Sequence, residues 1–204
     1  VVDLEQRRRQ QARRAAFEDY RRQGASVWIG PRGASMRPLI GDETKLLVEF
    51  GAMTAEIGDI ILFPLGDLLV AHRLVARRQQ QGVEMLIAKG DAEAYFDPPV
   101  RPGDLLGVVR ALRRGAPGSA TSLGCAGRSA RLLARISYWV GRAAWPARRA
   151  AAILPGPMRR MAPGAIRLLA RVTAHILFTP LLWVVFFRLK RTENVEGGEQ
   201  HEAV

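Results

Sequence analysis

Four side chains of this sequence, one serine, one histidine and two aspartates, could together carry nucleophilic hydrolysis. Ser35 lies in the stretch Gly33-Ala34-Ser35-Met36-Arg37-Pro38. A serine hydroxyl is inert at neutral pH, so a nucleophilic role needs a base, a group that orients the base, and donors for the oxyanion. His72, in the run LLVAHRLV, is the only histidine between positions 27 and 112. Used as a base, it predicts activity that falls on the acid side as the imidazole is protonated. Asp91 and Asp97 follow in the turn-rich run AKGDAEAYFDPPV. Each group also has a plain structural reading, because a lone strand histidine is more often structural than catalytic and aspartate is common in turns. The single Cys125 allows no intrachain disulfide, and one thiol without a histidine cluster is a poor basis for zinc or thiol chemistry. No metal and no cofactor are expected.

The elements that must position these groups read as a β-rich unit. Between 27 and 112 the short apolar runs VWI, KLLVEF, DIILF, LLVAHRLV, VEMLIA and LLGVVRAL are separated by Gly-Asp, Pro and polar turns. Alternation in LLVAHRLV puts Val70, His72 and Leu74 on one face and Ala71, Arg73 and Val75 on the other. Upstream, residues 4–23 are helix formers with arginines on several faces, ended by Gly24, which predicts an exposed, solvated helix. Charges throughout this opening stretch argue against a secretory signal there.

Downstream, RRGAPGSATSLGCAG reads as a linker. Beyond it Arg128, Arg135, Arg142 and Arg149 recur every seven residues, while Leu132, Ile136, Trp139 and Ala143 mark an apolar face. This pattern predicts an amphipathic cationic helix, kinked or divided at Pro146. The later span 172–187 carries no formal charge apart from the titratable His175. As a helix it covers about 24 Å against a hydrocarbon core of about 30 Å, which leaves three placements open: a transmembrane helix, an interfacial hairpin with the Arg-rich helix, or packing on the β unit. The polar end ENVEGGEQHEAV is expected to be disordered. The expected division is therefore a charged helix at 1–26, a catalytic unit at 27–113, a linker at 114–127, a helical membrane-associated region at 128–191 and a tail at 192–204.

Lys and Arg number 31 against 19 Asp and Glu, a formal net charge of +12. Such an excess suits nucleic acid, an anionic membrane surface or an acidic partner. With the arginines gathered beside apolar residues, an anionic membrane surface bound through the C-terminal region is the expected partner, and nucleic acid is disfavoured.

In order and spacing the boxes between positions 29 and 112 resemble the type I signal peptidases, specifically the archaeal and endoplasmic-reticulum branch. Ser35-Met36-Arg37-Pro38 followed by Gly41-Asp42 is similar to that family's nucleophile box. Gly58-Asp59-Ile60-Ile61-Leu62 matches its G-D-I strand, and His72-Arg73-Leu74-Val75 matches its base-bearing box. Lys89-Gly90-Asp91, with Asp97 six residues after Asp91, matches its K-G-D box. The usual bacterial branch, and the related LexA and UmuD-type self-cleaving proteases, place a lysine where this chain has His72. The only lysines here are Lys45, Lys89 and Lys190, none of them in that box.

The resemblance implies a mainly β, signal-peptidase or LexA-like catalytic fold acting on a peptide or preprotein substrate. Ser35 is then the nucleophile, His72 the general base, Asp97 the preferred orienting residue and Asp91 a supporting carboxylate that organises the turn. Gly33 and Ala34 leave room for a peptide backbone beside Ser35, whose N–H is the expected oxyanion donor, and Pro38 stiffens the exit from the turn. Two features depart from the family. A charged helix stands where a membrane anchor normally precedes the nucleophile, and the K-G-D box continues Ala-Glu where asparagines are frequent. If 172–187 spans a membrane, the arginines on its N-terminal side favour a cytoplasmic catalytic unit. Two other classes are weighed against the peptidase: a catalytically inactive scaffold with a membrane-binding tail, and a LexA-like regulator. The latter fits the basic charge but lacks the lysine, and its first 26 residues are too few for a helix-turn-helix domain. A chain ended near Arg114 is expected to keep Ser35, His72 and Asp97 together while losing membrane association.

Overall fold

Every one of the six apolar runs forms a strand. In chain order these are β1 (Ser26–Ile29), β2 (Thr44–Phe50), β3 (Ile60–Leu65), β4 (Leu68–Gln80), β5 (Val83–Lys89) and β6 (Gly107–Arg114), with a further strand β7 (Thr121–Gly124) inside the expected linker. The computed structural model describes residues 2–114, 121–124 and 127–153, with positions 168 and 172. Cys125, most of the apolar span 172–187 and the polar tail lie outside the described residues.

The fold is mainly β, a single antiparallel sheet ordered β1-β2-β6-β3-β4-β5, flanked by helices α1 (Val2–Gln23) and α2 (Arg128–Ile153). One edge of β6 pairs with β2 along its length; on the other edge β3 takes Gly107–Val109 and β7 takes Ala111–Arg114. Sheet order follows from tight hairpins where glycine allows them. Gln81 and Gly82, at φ 52° and 78°, close a two-residue turn that pairs Gln80 with Val83. Positive φ at both central positions is the geometry whose twist matches the flanking strands.

β4 is the longest strand, and its two halves serve different neighbours. Leu68 to Arg73 pair with β3, and Arg73 onward pairs with β5, with an irregularity between Leu74 and Ala76. Apolar side chains fill both faces of the sheet. One cluster gathers Leu46, Val48, Phe50, Ile60, Leu62, Val109 and Leu112; the other gathers Ile61, Phe63, Leu74, Leu86, Leu105 and Val108.

Both helices pack on the sheet, including the first, which its charge pattern predicts to be exposed and solvated. The last turns of α1 dock on the sheet: the rings of Phe17 and Tyr20 lie 5.2 and 5.4 Å from that of Phe50, and the Arg21 guanidinium donates to the Gly103 carbonyl at 3.0 Å. Helix α2 contributes Leu133 and Ala134 to the core beside β4 and β5, so packing does not end at position 113. It also continues through position 146 rather than being divided there. Among the described residues, no helix is long and apolar enough to cross a membrane.

The buried face of α2 only partly coincides with the apolar face that the spacing marks, sharing Ile136 with it. Ala130, Leu133, Ala134, Ser137 and Gly141 face the sheet, while Leu132, Trp139 and Ala143 are exposed and Ile136 is half-buried. Small residues win this contact because they let the helix approach closely: a Cβ on Gly141 would come within 2.6 Å of the Phe96 ring. The face marked by Leu132 and Trp139 is therefore turned away from the sheet, and the packed face carries smaller side chains that hydropathy does not single out.

Candidate active site

The turn bearing Ser35 follows β1. Gly33 has φ +113°, a conformation L side chains rarely adopt, and this permits the reversal just before the serine. Met36, Leu39 and Ile40 are buried and anchor the turn from below, whereas Ala34 is exposed. The Arg37–Pro38 peptide is cis, and the Arg114 guanidinium donates to the carbonyls of Pro38 and Leu39, both at 2.7 Å, tying the end of the turn to β6.

The carboxylates reach this turn because of one strand register. Arg73 pairs with Lys89, so β5 ends beside the base-bearing stretch of β4 and releases the turn 90–97 against Ser35. Gly90 makes the approach possible, since a Cβ there would lie 2.7 Å from the Ser35 carbonyl oxygen. The Ala92 N–H then donates to that carbonyl at 2.8 Å, and the Asp97 N–H donates to the Ala88 carbonyl at 2.9 Å.

Ser35, His72 and Asp97 form a hydrogen-bonded chain. His72 Nδ1 lies 2.7 Å from Asp97 Oδ2, and His72 Nε2 lies 2.9 Å from Ser35 Oγ. An Nδ1–H donating to the carboxylate leaves Nε2 as the acceptor of the serine proton, the arrangement a neutral imidazole base requires. The imidazole and the Asp97 carboxylate are largely shielded from water, and the Phe63 ring stands edge-on at 6.3 Å from the imidazole.

Asp91 does something else. Successive strand residues point to opposite faces, and Arg73, next to His72, takes Asp91 in a two-point contact: Nε to Oδ1 at 2.9 Å and Nη2 to Oδ2 at 2.7 Å. Both side chains are fully buried, and Arg73 Nη1 also donates to the Gly58 carbonyl at 2.9 Å. Removing one member of such a pair strands the other charge in the interior. Asp91→Ala is therefore expected to lower unfolding free energy by about 3–5 kcal/mol. Urea unfolding of Asp91→Ala beside Asp97→Asn checks this, because the Asp97 variant should lose turnover with far less stability.

Lys89, from the same box, is held away from the serine. Its Nζ donates to the Gly90 carbonyl at 3.0 Å and to Ser137 Oγ of α2 at 3.2 Å. Burial pushes its pKa from the ordinary 10.5 down to about 8, against the opposing pull of Asp91, Glu93 and Asp97. The unfolded chain thus holds the extra proton between about pH 8 and 10.5, and stability attributable to Lys89 rises with pH across that window. Below pH 8 both states are protonated and the penalty is constant. Urea unfolding at pH 7.5 and 10 should show the wild type gaining up to roughly 3 kcal/mol relative to Lys89→Met.

Ser35 opens onto a cleft of about 460 Å³. Ile29, Met36, Ile40, Leu46 and Leu62 supply apolar lining, the hairpin residues Asp67–Ala71 form one wall, and Arg13 and Phe17 of α1 form another. Several supports of the site have no sequence pattern that names their role. Ser137 and Gly141 matter through a close approach, Phe17 through docking of a helix that reads as solvated, and only Arg73 carried a signal, its position one residue from His72 on a strand.

Searches against family models, curated proteins and solved structures found no match.

Proposed function

We propose that the chain is a serine endopeptidase of signal-peptidase type, cleaving a peptide or preprotein with Ser35 as nucleophile and His72 as general base. The observation that carries this reading is the pair of contacts through one imidazole, 2.9 Å to Ser35 Oγ and 2.7 Å to Asp97. In the reaction His72 Nε2 takes the serine proton as Oγ attacks the scissile carbonyl. It returns that proton to the leaving amine, and then activates a water to release the acyl-enzyme. Asp97 holds the imidazole in the required tautomer and stabilises the imidazolium. With Gly33 and Ala34 exposed beside it, the Ser35 N–H is the proposed donor to the developing oxyanion.

Assignment to the archaeal and endoplasmic-reticulum branch is supported by the ordered boxes and by histidine in the base position. A LexA-like lysine mechanism is disfavoured because Lys89 is engaged by Ser137 and Gly90 rather than by Ser35. Incubating the full chain with a proteome-derived peptide library and sequencing the new termini by mass spectrometry tests the proposal. Products should appear with the wild type and vanish with Ser35→Ala. The same products from both proteins, or none from either, would overturn it in favour of an inactive scaffold.

A further inference from the structure

Helix α2 uses its small residues against the sheet and leaves a second face outward. Arg128, Leu132, Arg135, Trp139 and Arg142 are spaced by four and three residues in alternation and therefore form one stripe along the helix. All five are exposed, Trp139 at 67% and Leu132 at 45%, and no described residue packs over them as part of a core cluster. Helix α2 contains no acidic residue at all. Arg131, on the shoulder of the stripe, reaches Glu56 at 3.6 Å, so the loop between β2 and β3 supplies one counter-charge there. At the other end, Arg78 and Arg142 approach the Tyr138 phenol and hold its pKa below the ordinary 10, a second sign of positive potential along this side.

We propose that this stripe is a docking surface for an anionic bilayer. Trp139 and Leu132 enter the interface, and Arg128, Arg135 and Arg142 bind lipid phosphates on either side. Both halves of the pattern bear on the choice. A water-facing helix does not need tryptophan and leucine in line between arginines, whereas a helix lying in the plane of a membrane does, with tryptophan at headgroup depth and basic side chains reaching phosphate. Charge complementarity selects anionic over zwitterionic lipid. Because the face turned to the sheet is already filled, docking requires no rearrangement of the catalytic unit. The inference stands independently of the peptidase reading.

The test uses the full chain with Trp28, Trp145 and Trp183 changed to Phe, leaving Trp139 as the reporter. Vesicles of phosphatidylcholine, alone or mixed with phosphatidylglycerol, carry brominated acyl chains that quench tryptophan at the interface. Quenching is expected with the mixed vesicles only, weakened by high salt. Arg128→Glu/Arg135→Glu, on exposed positions that the fold does not use, should lower partitioning by at least roughly 30-fold, the loss from removing the two positive charges alone. Binding that persists in the charge-reversed protein with Trp139 unquenched would assign attachment to another segment. A Trp139 already shielded without vesicles would mean that the chain covers its own stripe. Arg-dependent binding of duplex DNA or single-stranded RNA without vesicle binding would make the surface a nucleic-acid site. Any of these three overturns the proposal.

Discussion

Ser35→Ala and His72→Ala are each expected to reduce peptide turnover by about five to six orders of magnitude, and the double variant by little more. The near-equality follows from geometry. One imidazole contacts both partners, so removing either end leaves the other without a function, and groups acting as a unit do not contribute additively. Asp97→Asn should cost roughly 10⁴-fold, since the amide removes the charge that stabilises the imidazolium and favours the wrong tautomer. His72→Lys should not rescue activity, because an amine at that position loses the Nδ1 contact to Asp97. Turnover of a cleaved library peptide, measured with the unfolding midpoint of each variant, checks the series. Near-normal turnover in His72→Ala would remove histidine from the mechanism.

A chain ended at Arg114 is expected to lose most of its turnover and its cooperative unfolding, while a chain ended after Ile153 keeps both. From the order of the boxes alone, the shorter chain appears complete. In the fold it lacks the partners of two groups that shape the site. Ser137 caps the buried Lys89 ammonium, and Gly141 provides the close seat of Phe96, whose ring lies 5.6 Å from that of Tyr138 and which immediately precedes Asp97. Val75 and Ile87 would also lose Ala134, their shared partner across the helix interface. Gly141→Ala gives a milder version, because the new methyl must displace the Phe96 ring and with it the Asp97 end of the turn. Comparing both truncations and this substitution by turnover and by thermal unfolding separates loss of the site from loss of the fold. Full activity in the Arg114 chain would show that α2 is dispensable to catalysis.

The strands were legible because each is an apolar run bounded by turn residues, and these cues act over a few neighbours. Ser35, His72 and the two aspartates were legible as types. The preference for Asp97 over Asp91 came from the family resemblance and not from the residue types, because which aspartate meets the imidazole depends on the pairing of Arg73 with Lys89 and on how far the turn 90–97 travels after it. The inward face of α2 was not legible for a related reason. Periodicity identifies faces, but close approach at Ser137 and Gly141 decides which face packs, and small side chains carry little hydropathic weight. Docking of α1 was hidden by its arginines, which dominate the average although Phe17 and Tyr20 make the contact.

His72 and Arg73 are neighbours on β4, and their partners, Asp97 and Asp91, come from a single turn. A strand that slips by one residue exchanges its two faces. Here such a slip would set a guanidinium against the serine and leave an imidazole to answer the doubly bound, buried carboxylate of Asp91. Neither substitution satisfies its site, so the misaligned chain is penalised twice over. The Arg73–Asp91 pair thereby works as a proofreading key for the Ser35–His72–Asp97 chain, tying correct alignment of the strand to assembly of the proposed site.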